Sequence, residues 1–332
     1  MPEFRKDPVV ERWVIIAAER AKRPQGKPER VHMADTGICP FCPGNESMTP
    51  PAVLVLAEDN ALPGEANWSV RVVPNKYPAL VDQENLAPRT DGLFNSMHGA
   101  GAHEVVIESA QHEIGMAALS ERNIELVLHA YRGRLRQWRG DQRWGYALIY
   151  KNQGAEAGAT LAHSHSQIAA LPMVPKEPLE EIEAAKKYFA SAGRCVYCVI
   201  AQRESEIDRR VVLENERFMV FCPFASRVAG ETWILPKRHS SCFESGSKED
   251  FLALARSLRE TLVRLSRCFN EPSLNYFLHN NPLSEPENDY CHWHLEILPK
   301  LHHVAGFEWG SGCYMNPLAP EDAARQLREA SL

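Results

Sequence analysis

The sequence has no apolar run approaching the roughly 20 residues that a bilayer-spanning helix requires, so a soluble protein is expected. Its opening residues, Met1 to Asp7, are charged early and lack the apolar core of a secretory signal, which points to the cytoplasm. An excess of basic charge is missing too. With 37 Lys and Arg against 43 Asp and Glu, the formal net charge of −6 argues against a nucleic-acid-binding surface. The local basic stretch Arg20-Ala21-Lys22-Arg23-Pro24 reads either as an anion contact or as a solvated loop. A disulfide framework is disfavoured, because the nine cysteines are odd in number and a reducing compartment keeps them as thiols.

What is present fits a globular chain of two similar units: 332 residues, 44% hydrophobic and 24% charged. The halves repeat one another. Ile124, Val127, Leu128, Tyr131, Leu135 and Trp138 follow the stripe of an amphipathic helix opened by Ser120, and 127 residues further on Phe251, Leu254, Ala255, Leu258, Leu262 and Leu265 repeat it. Short segments rich in β-branched and aromatic residues flank each helix. They are Trp68 to Val73, Glu104 to Glu108, Tyr146 to Tyr150 and Gln167 to Leu171, then Phe218 to Phe221, Thr232 to Leu235, Leu274 to Leu278 and His294 to Leu298. Each half therefore reads as two strands, a long helix and two strands. The expected class is α+β, duplicated, with an antiparallel sheet and one long helix per unit. The units run over 1–175 and 193–332, joined by a connector, Val174 to Ala192, whose Leu179 to Phe189 portion is a candidate helix.

Four of the cysteines form two Cys-x-x-Cys pairs, Cys39/Cys42 and Cys195/Cys198. Thiolates at this spacing take two corners of a tetrahedral zinc site. His112 and His239 are related by the same 127-residue offset as the helices, and His163 and His292 by 129. Two Cys2His2 sets follow: Cys39, Cys42, His112 and His163, then Cys195, Cys198, His239 and His292. A lone pair would read as well as redox-active or merely buried. Two pairs with repeating histidines favour two structural zinc ions. His103 is the reserve candidate for His112.

His163-Ser164-His165-Ser166-Gln167 opens a strand after the glycine-bearing stretch Asn152 to Thr160. Alternate residues of a strand share a face, so His163, His165 and Gln167 point the same way unless the turn separates them. With His163 on zinc, His165 is free to act. Neutral imidazole attacks phosphorus readily near pH 7, and Gln167 can donate to a nonbridging oxygen.

This run resembles the active-site motif of the histidine-triad superfamily, in the branch where glutamine replaces the final histidine: the galactose-1-phosphate uridylyltransferases. Arg12-Trp13-Val14, the Arg20 to Pro24 stretch, Cys39 to Cys42, Pro74 to Leu80, Asn152 and Gly306-Phe307-Glu308 resemble the family as well, over nearly the whole chain. The resemblance implies a histidine-triad-like fold in both units and a ping-pong exchange. UDP-glucose gives its uridylyl group to His165, glucose 1-phosphate leaves, and galactose 1-phosphate collects the group. It further implies that Arg20 and Arg23 contact phosphates, Asn75 and Asn152 the nucleotide and phosphate region, and Thr160 a phosphate oxygen. Phe307 and Glu308 would face the hexose across a homodimer interface.

In the second half His292-Trp293-His294 repeats the motif, but Glu296 replaces the glutamine, so that copy is expected to be inactive. Some family members hold iron there, and the residues resembling its ligands are His279, His292 and His294, with a glutamate that the sequence does not place. Ser164 stands where well-known uridylyltransferases often carry proline, and the segment Gly310 to Pro317 resembles a related branch, the ADP-glucose phosphorylases, which move an adenylyl group to phosphate. The base therefore stays open between uridine and adenine, and the acceptor between a hexose 1-phosphate and phosphate. A nucleotide-binding zinc protein without catalysis is the alternative of another class; a zinc hydrolase is third, because it needs an open coordination position.

Overall fold

A computed structural model describes residues 2–9, 12–16, 38–57, 68–83, 87–112 and 115–330. In chain order it contains β1 (Glu3–Lys6), β2 (Trp13–Ile16), β3 (Leu54–Leu56), β4 (Val70–Pro74), β5 (Arg89–Asp91), β6 (Phe94–His98), β7 (Ala102–Ile107), α1 (Glu121–Arg139), β8 (Tyr146–Gln153) and β9 (His165–Leu171). There follow α2 (Lys176–Ala192), α3 (Val196–Ile207), β10 (Val211–Glu214), β11 (Phe218–Phe221), β12 (Thr232–Pro236), α4 (Lys248–Cys268), β13 (Leu274–His279), β14 (His294–Pro299), α5 (Gly306–Ser311) and α6 (Pro320–Glu329). All eight expected strands are there, displaced by at most a few residues.

The duplicated plan is realised as one continuous sheet. Ten antiparallel strands run in the order β10-β11-β12-β14-β13-β8-β9-β7-β4-β3, five from each half, with β8 and β13 paired at the seam from Leu274 against Gln153 to Leu278 against Ile149. Pairing these two strands removes two edges that would otherwise expose unpaired backbone groups. The two long helices, α1 and α4, pack against each other and cover one face. Their apolar stripes meet Val70, Val72, Val106, Ile149 and Ile168 from one half and Val220, Ile234, Tyr276 and Ile297 from the other in a single core.

Sequence reasoning missed the edge strands β3 and β10 and the helices α3, α5 and α6. A separate four-stranded sheet, β2-β1-β6-β5, lies outside the duplication. The candidate helix Leu179 to Phe189 in the connector is present and extends to Lys176–Ala192, where Gly193 closes it with φ of 65°. Glycine meets no steric cost in that left-handed conformation.

Helix starts follow capping chemistry. Ser120 accepts a hydrogen bond from Asn123 N, and Ser247 accepts from Asp250 N while the Asp250 carboxylate accepts from Ser247 N. Each satisfies amides that the helix itself leaves unpaired. Replacing Ser247 by Ala is expected to cost about 1 kcal/mol in urea unfolding with an unchanged slope; a loss below about 0.3 kcal/mol would show that the cap is idle.

Candidate active site and metal centres

Strand parity sorts the side chains onto the two faces. On β4 and β7, Val72 and Val106 join the helix-side core, whereas Val73, Val105 and Ile107 join a smaller cluster with Phe41 and Trp68 on the opposite face. Register places His165 against Ile107 and Gln167 against Val105, so both project onto that opposite face. Ser166 takes the helix side, where its hydroxyl accepts from Tyr131 Oη at 2.6 Å.

His165 and Gln167 line a cavity of about 330 Å³ together with Phe41, Val73, Asn75, Lys76 and Thr160. That volume lies in the range of small-molecule sites. His165 is 6% exposed, and its Nδ1–H donates to the His163 carbonyl at 2.8 Å. This bond fixes the tautomer and leaves the Nε2 lone pair free. Burial, followed by the charge of Lys151, holds the imidazole down to about 4, so it is neutral at physiological pH.

Gln167 is oriented by three groups. Its Oε1 accepts from His103 Nε2 at 2.9 Å, from Tyr150 Oη at 3.1 Å and from Asn75 Nδ2 at 3.4 Å. Because Ala79 N donates to His103 Nδ1 at 3.0 Å, the proton of that ring sits on Nε2. Holding the amide oxygen in this way leaves its NH2 as a donor for the cavity. His103, the reserve metal candidate, is therefore a Gln167 partner, and the residue that joins Cys39, Cys42 and His163 is His112. Tyr150 and Lys76 were not singled out from sequence. Tyr150 carries a period-two signal, lying directly opposite Gln167 in register.

Two groups of metal-ligand residues assemble as expected: Cys39, Cys42, His112 and His163, and Cys195, Cys198, His239 and His292, each with all ligand atoms within 4.8 Å of one another. In the first, His112 Nδ1 lies 3.2 Å from Cys42 Sγ, and His163 Nδ1 lies 3.6 Å from both sulfurs. In the second, sulfur-to-Nδ1 distances are 3.5 to 3.7 Å. A tetrahedron with zinc's usual bond lengths has a sulfur-to-nitrogen edge of about 3.5 Å, so both donor sets fit the ion. His163 Nε2 and His239 Nε2 face the Ser109 and Asn288 carbonyls at 2.8 and 3.0 Å, an outer-shell bond that leaves Nδ1 as the ligand atom. A hydrogen bond from the Cys198 thiol holds Cys195 below the ordinary thiol value, and the same contact pushes Cys198 up.

A third group, Glu181, His279 and His294, lies beside the second Cys2His2 set. Glu181 of α2 accepts from His279 Nδ1 at 2.7 Å, while His292, which in sequence resembles an iron ligand together with His279 and His294, groups with the cysteines instead. Pro178, Ile182 and Ala185 of α2 line the space next to His294 and reduce it to about 20 Å³. Glu296 is tied to Arg227 there. The second copy of the motif thus faces a space the size of a water, not of a nucleotide.

The remaining expected contacts divide. Asn75 and Thr160 line the cavity. Asn152 does not; its Oδ1 accepts from Asn275 Nδ2 at 2.8 Å across the seam. The glycine-bearing stretch before His163 turns on Gly154, with φ of 84°, where a Cβ would come within 2.1 Å of Ser273 Oγ. Phe307 and Glu308 sit on the short exposed α5, Phe307 being 54% exposed. Arg20 and Arg23 lie outside the described residues. Among the described residues, no helix is long and apolar enough to cross a membrane.

Residues 1–175 match the family described as "Galactose-1-phosphate uridyl transferase, N-terminal domain". The chain is 38% identical to the ADP-glucose phosphorylase of Arabidopsis thaliana, over 100% of this chain and 93% of the relative, and 30% identical to the galactose-1-phosphate uridylyltransferase of Thermotoga maritima, over 100% and 99%. The crystal structure of the Arabidopsis thaliana ADP-glucose phosphorylase with bound ADP-glucose superposes with a TM-score of 0.80 at 38% identity, covering 100% of this chain and 99% of that one. A uridylyltransferase structure gives a TM-score of 0.82 at 29% identity, covering 99% and 98%. The chain is a nucleotidyltransferase and belongs to the galactose-1-phosphate uridylyltransferase family.

Proposed function

We propose that the chain carries a nucleotidyl group on His165 and passes it between two phosphorylated molecules: UDP-glucose as donor, galactose 1-phosphate as acceptor. The observation that carries the reading is the free Nε2 of His165 facing a 330 Å³ cavity beside an oriented Gln167 amide. In the first half-reaction Nε2 forms a bond to the donor's α-phosphorus as the bond to the sugar-phosphate oxygen breaks, and glucose 1-phosphate leaves. The resulting positive charge on the ring is stabilised by the Nδ1–H donated to His163's carbonyl. Gln167's NH2 donates to a nonbridging oxygen as charge builds there. In the second half-reaction the acceptor phosphate oxygen attacks, the phosphorus–nitrogen bond breaks, and neutral His165 returns.

A second reading, adenylyl transfer from ADP-glucose to phosphate, is favoured by the 38% identity to a named ADP-glucose phosphorylase along the entire chain. Both readings share the histidine step. The remaining parts of the proposal are units at 1–175 and 193–332, two structural zinc ions in the Cys2His2 groups, phosphate contacts from Arg20, Arg23 and Thr160, and Asn75 at the nucleotide and phosphate region. We further propose residence in the cytoplasm and a homodimer in which exposed Phe307 and Glu308 reach a partner's hexose. Intact-protein mass after incubation with UDP-glucose or ADP-glucose, without acceptor, tests the donor. A uridylyl gain supports the first reading, an adenylyl gain the second, and no gain with either overturns the nucleotidyl-histidine.

A further inference from the structure

Lys151 stands out as a charge in a row of core residues. On β8, Ala147, Ile149 and Lys151 share the helix side of the sheet, and Lys151 is only 1% exposed. Its ammonium donates to Glu108 Oε2 at 2.5 Å, to Ser164 Oγ at 3.1 Å and to the backbone carbonyl of His165 at 3.0 Å. Ser164 Oγ donates in turn to Glu108 Oε2 at 2.5 Å, and Glu108 N donates to the Ser164 carbonyl at 3.1 Å. Glu108 is 0% exposed and Ser164 2%. Ser164 and His165 are therefore held at both of their carbonyls and at the Ser164 side chain.

A buried ion pair is a poor means of stabilising a fold, since apolar residues of similar volume do as well or better. What this one controls is local geometry. His163 is turned toward the cysteines, His165 toward the cavity, and Ser164 between them must hold a fixed twist for Nδ1 of His165 to reach His163's carbonyl. We infer that Lys151, through Glu108 and Ser164, is a positioning residue that holds the His165 backbone so that Nε2 stays aimed into the cavity. The inference rests on His165 being the nucleotidyl carrier.

The test is rapid-quench measurement of adduct formation by the zinc-loaded full chain, using whichever of UDP-glucose and ADP-glucose labels the wild type. Lys151→Met is expected to lower the rate constant about 100-fold, the usual consequence of a nucleophile misplaced by about 1 Å, with the half-saturating donor concentration within about threefold of wild type. The single variant strands Glu108, so Lys151→Met with Glu108→Leu removes both charges. That double variant is expected to melt within a few degrees of wild type and keep its zinc, yet to remain about 100-fold slow. Ser164→Ala, which keeps the ion pair and loses one grip, is expected to be about tenfold slow. A double variant that reacts within about threefold of wild type overturns the inference, because the pair would then serve the fold alone. A rise in half-saturation at an unchanged rate overturns it as well. Absence of an adduct in the wild-type chain overturns the histidine reading itself.

Discussion

His165→Ala is expected to abolish the nucleotidyl adduct and to lower turnover by a factor on the order of 10⁴ or more, while zinc content and melting temperature stay near wild type. The size of the effect follows from what is removed. The ring supplies the atom that bonds phosphorus, and no other nucleophile lines the cavity among the described residues except Lys76 and the hydroxyls of Thr49, Tyr77 and Thr160. Alanine leaves the β-strand backbone intact, so the register of His165 against Ile107 is retained. A variant that loses zinc or fails to fold would mean that the residue is a ligand or core group. The same experiment run across pH gives a second check. With the imidazole held down to about 4 by burial and by Lys151, protonation takes the lone pair only well below its ordinary value. Adduct formation should therefore be flat from about pH 8 to about pH 5.5 and fall only as pH approaches 4; a midpoint near 6.5 would place the ring in an open, hydrated setting.

Much of this site is legible in the sequence because its constraints are local or periodic. His163-Ser164-His165-Ser166-Gln167 fixes which residues alternate across β9, and the 127-residue offset of His112 and His239 reproduces the offset of α1 and α4, so the ligand sets follow from the duplication. What the sequence withholds is long-range. Nothing in Ala102 to Ile107 says that His103 will meet Gln167, because that contact depends on β7 pairing with β9 across about sixty residues of chain. Lys151 is hidden for a related reason: a lysine at the end of a strand reads as solvated until Glu108, 43 residues earlier, is found beneath it. Glu181 belongs to a segment rich in Pro, Glu and Lys whose composition describes a solvated connector. Its role beside His279 emerges only when α2 folds back over the second half.

Cys39→Ser should lower zinc from two ions per chain to one, and Cys195→Ser should do the same, but only the first should slow adduct formation. Each replaces a thiolate by a poorer ligand for zinc. A structural zinc contributes an apparent ~10 kcal/mol or more in small peptides, which is comparable with the whole ~5–15 kcal/mol margin of a typical domain. Both variants should therefore melt at clearly lower temperature, read by calorimetry with zinc counted by metal analysis. The difference lies in position. With zinc bound, the first group would tie the Cys39 and Cys42 turn, His112 and His163 to one another, and the His163 carbonyl is the partner that sets His165's tautomer. Freeing His163 frees that carbonyl. The corresponding bond in the second half, His294 Nδ1 to the His292 carbonyl at 3.1 Å, serves a ring that faces only the small space beneath α2. Equal slowing in both variants would mean that the sheet transmits the loss as general destabilisation. Unchanged zinc in Cys39→Ser would remove the first centre from the account, and with it the reason that His163 and His165 part ways.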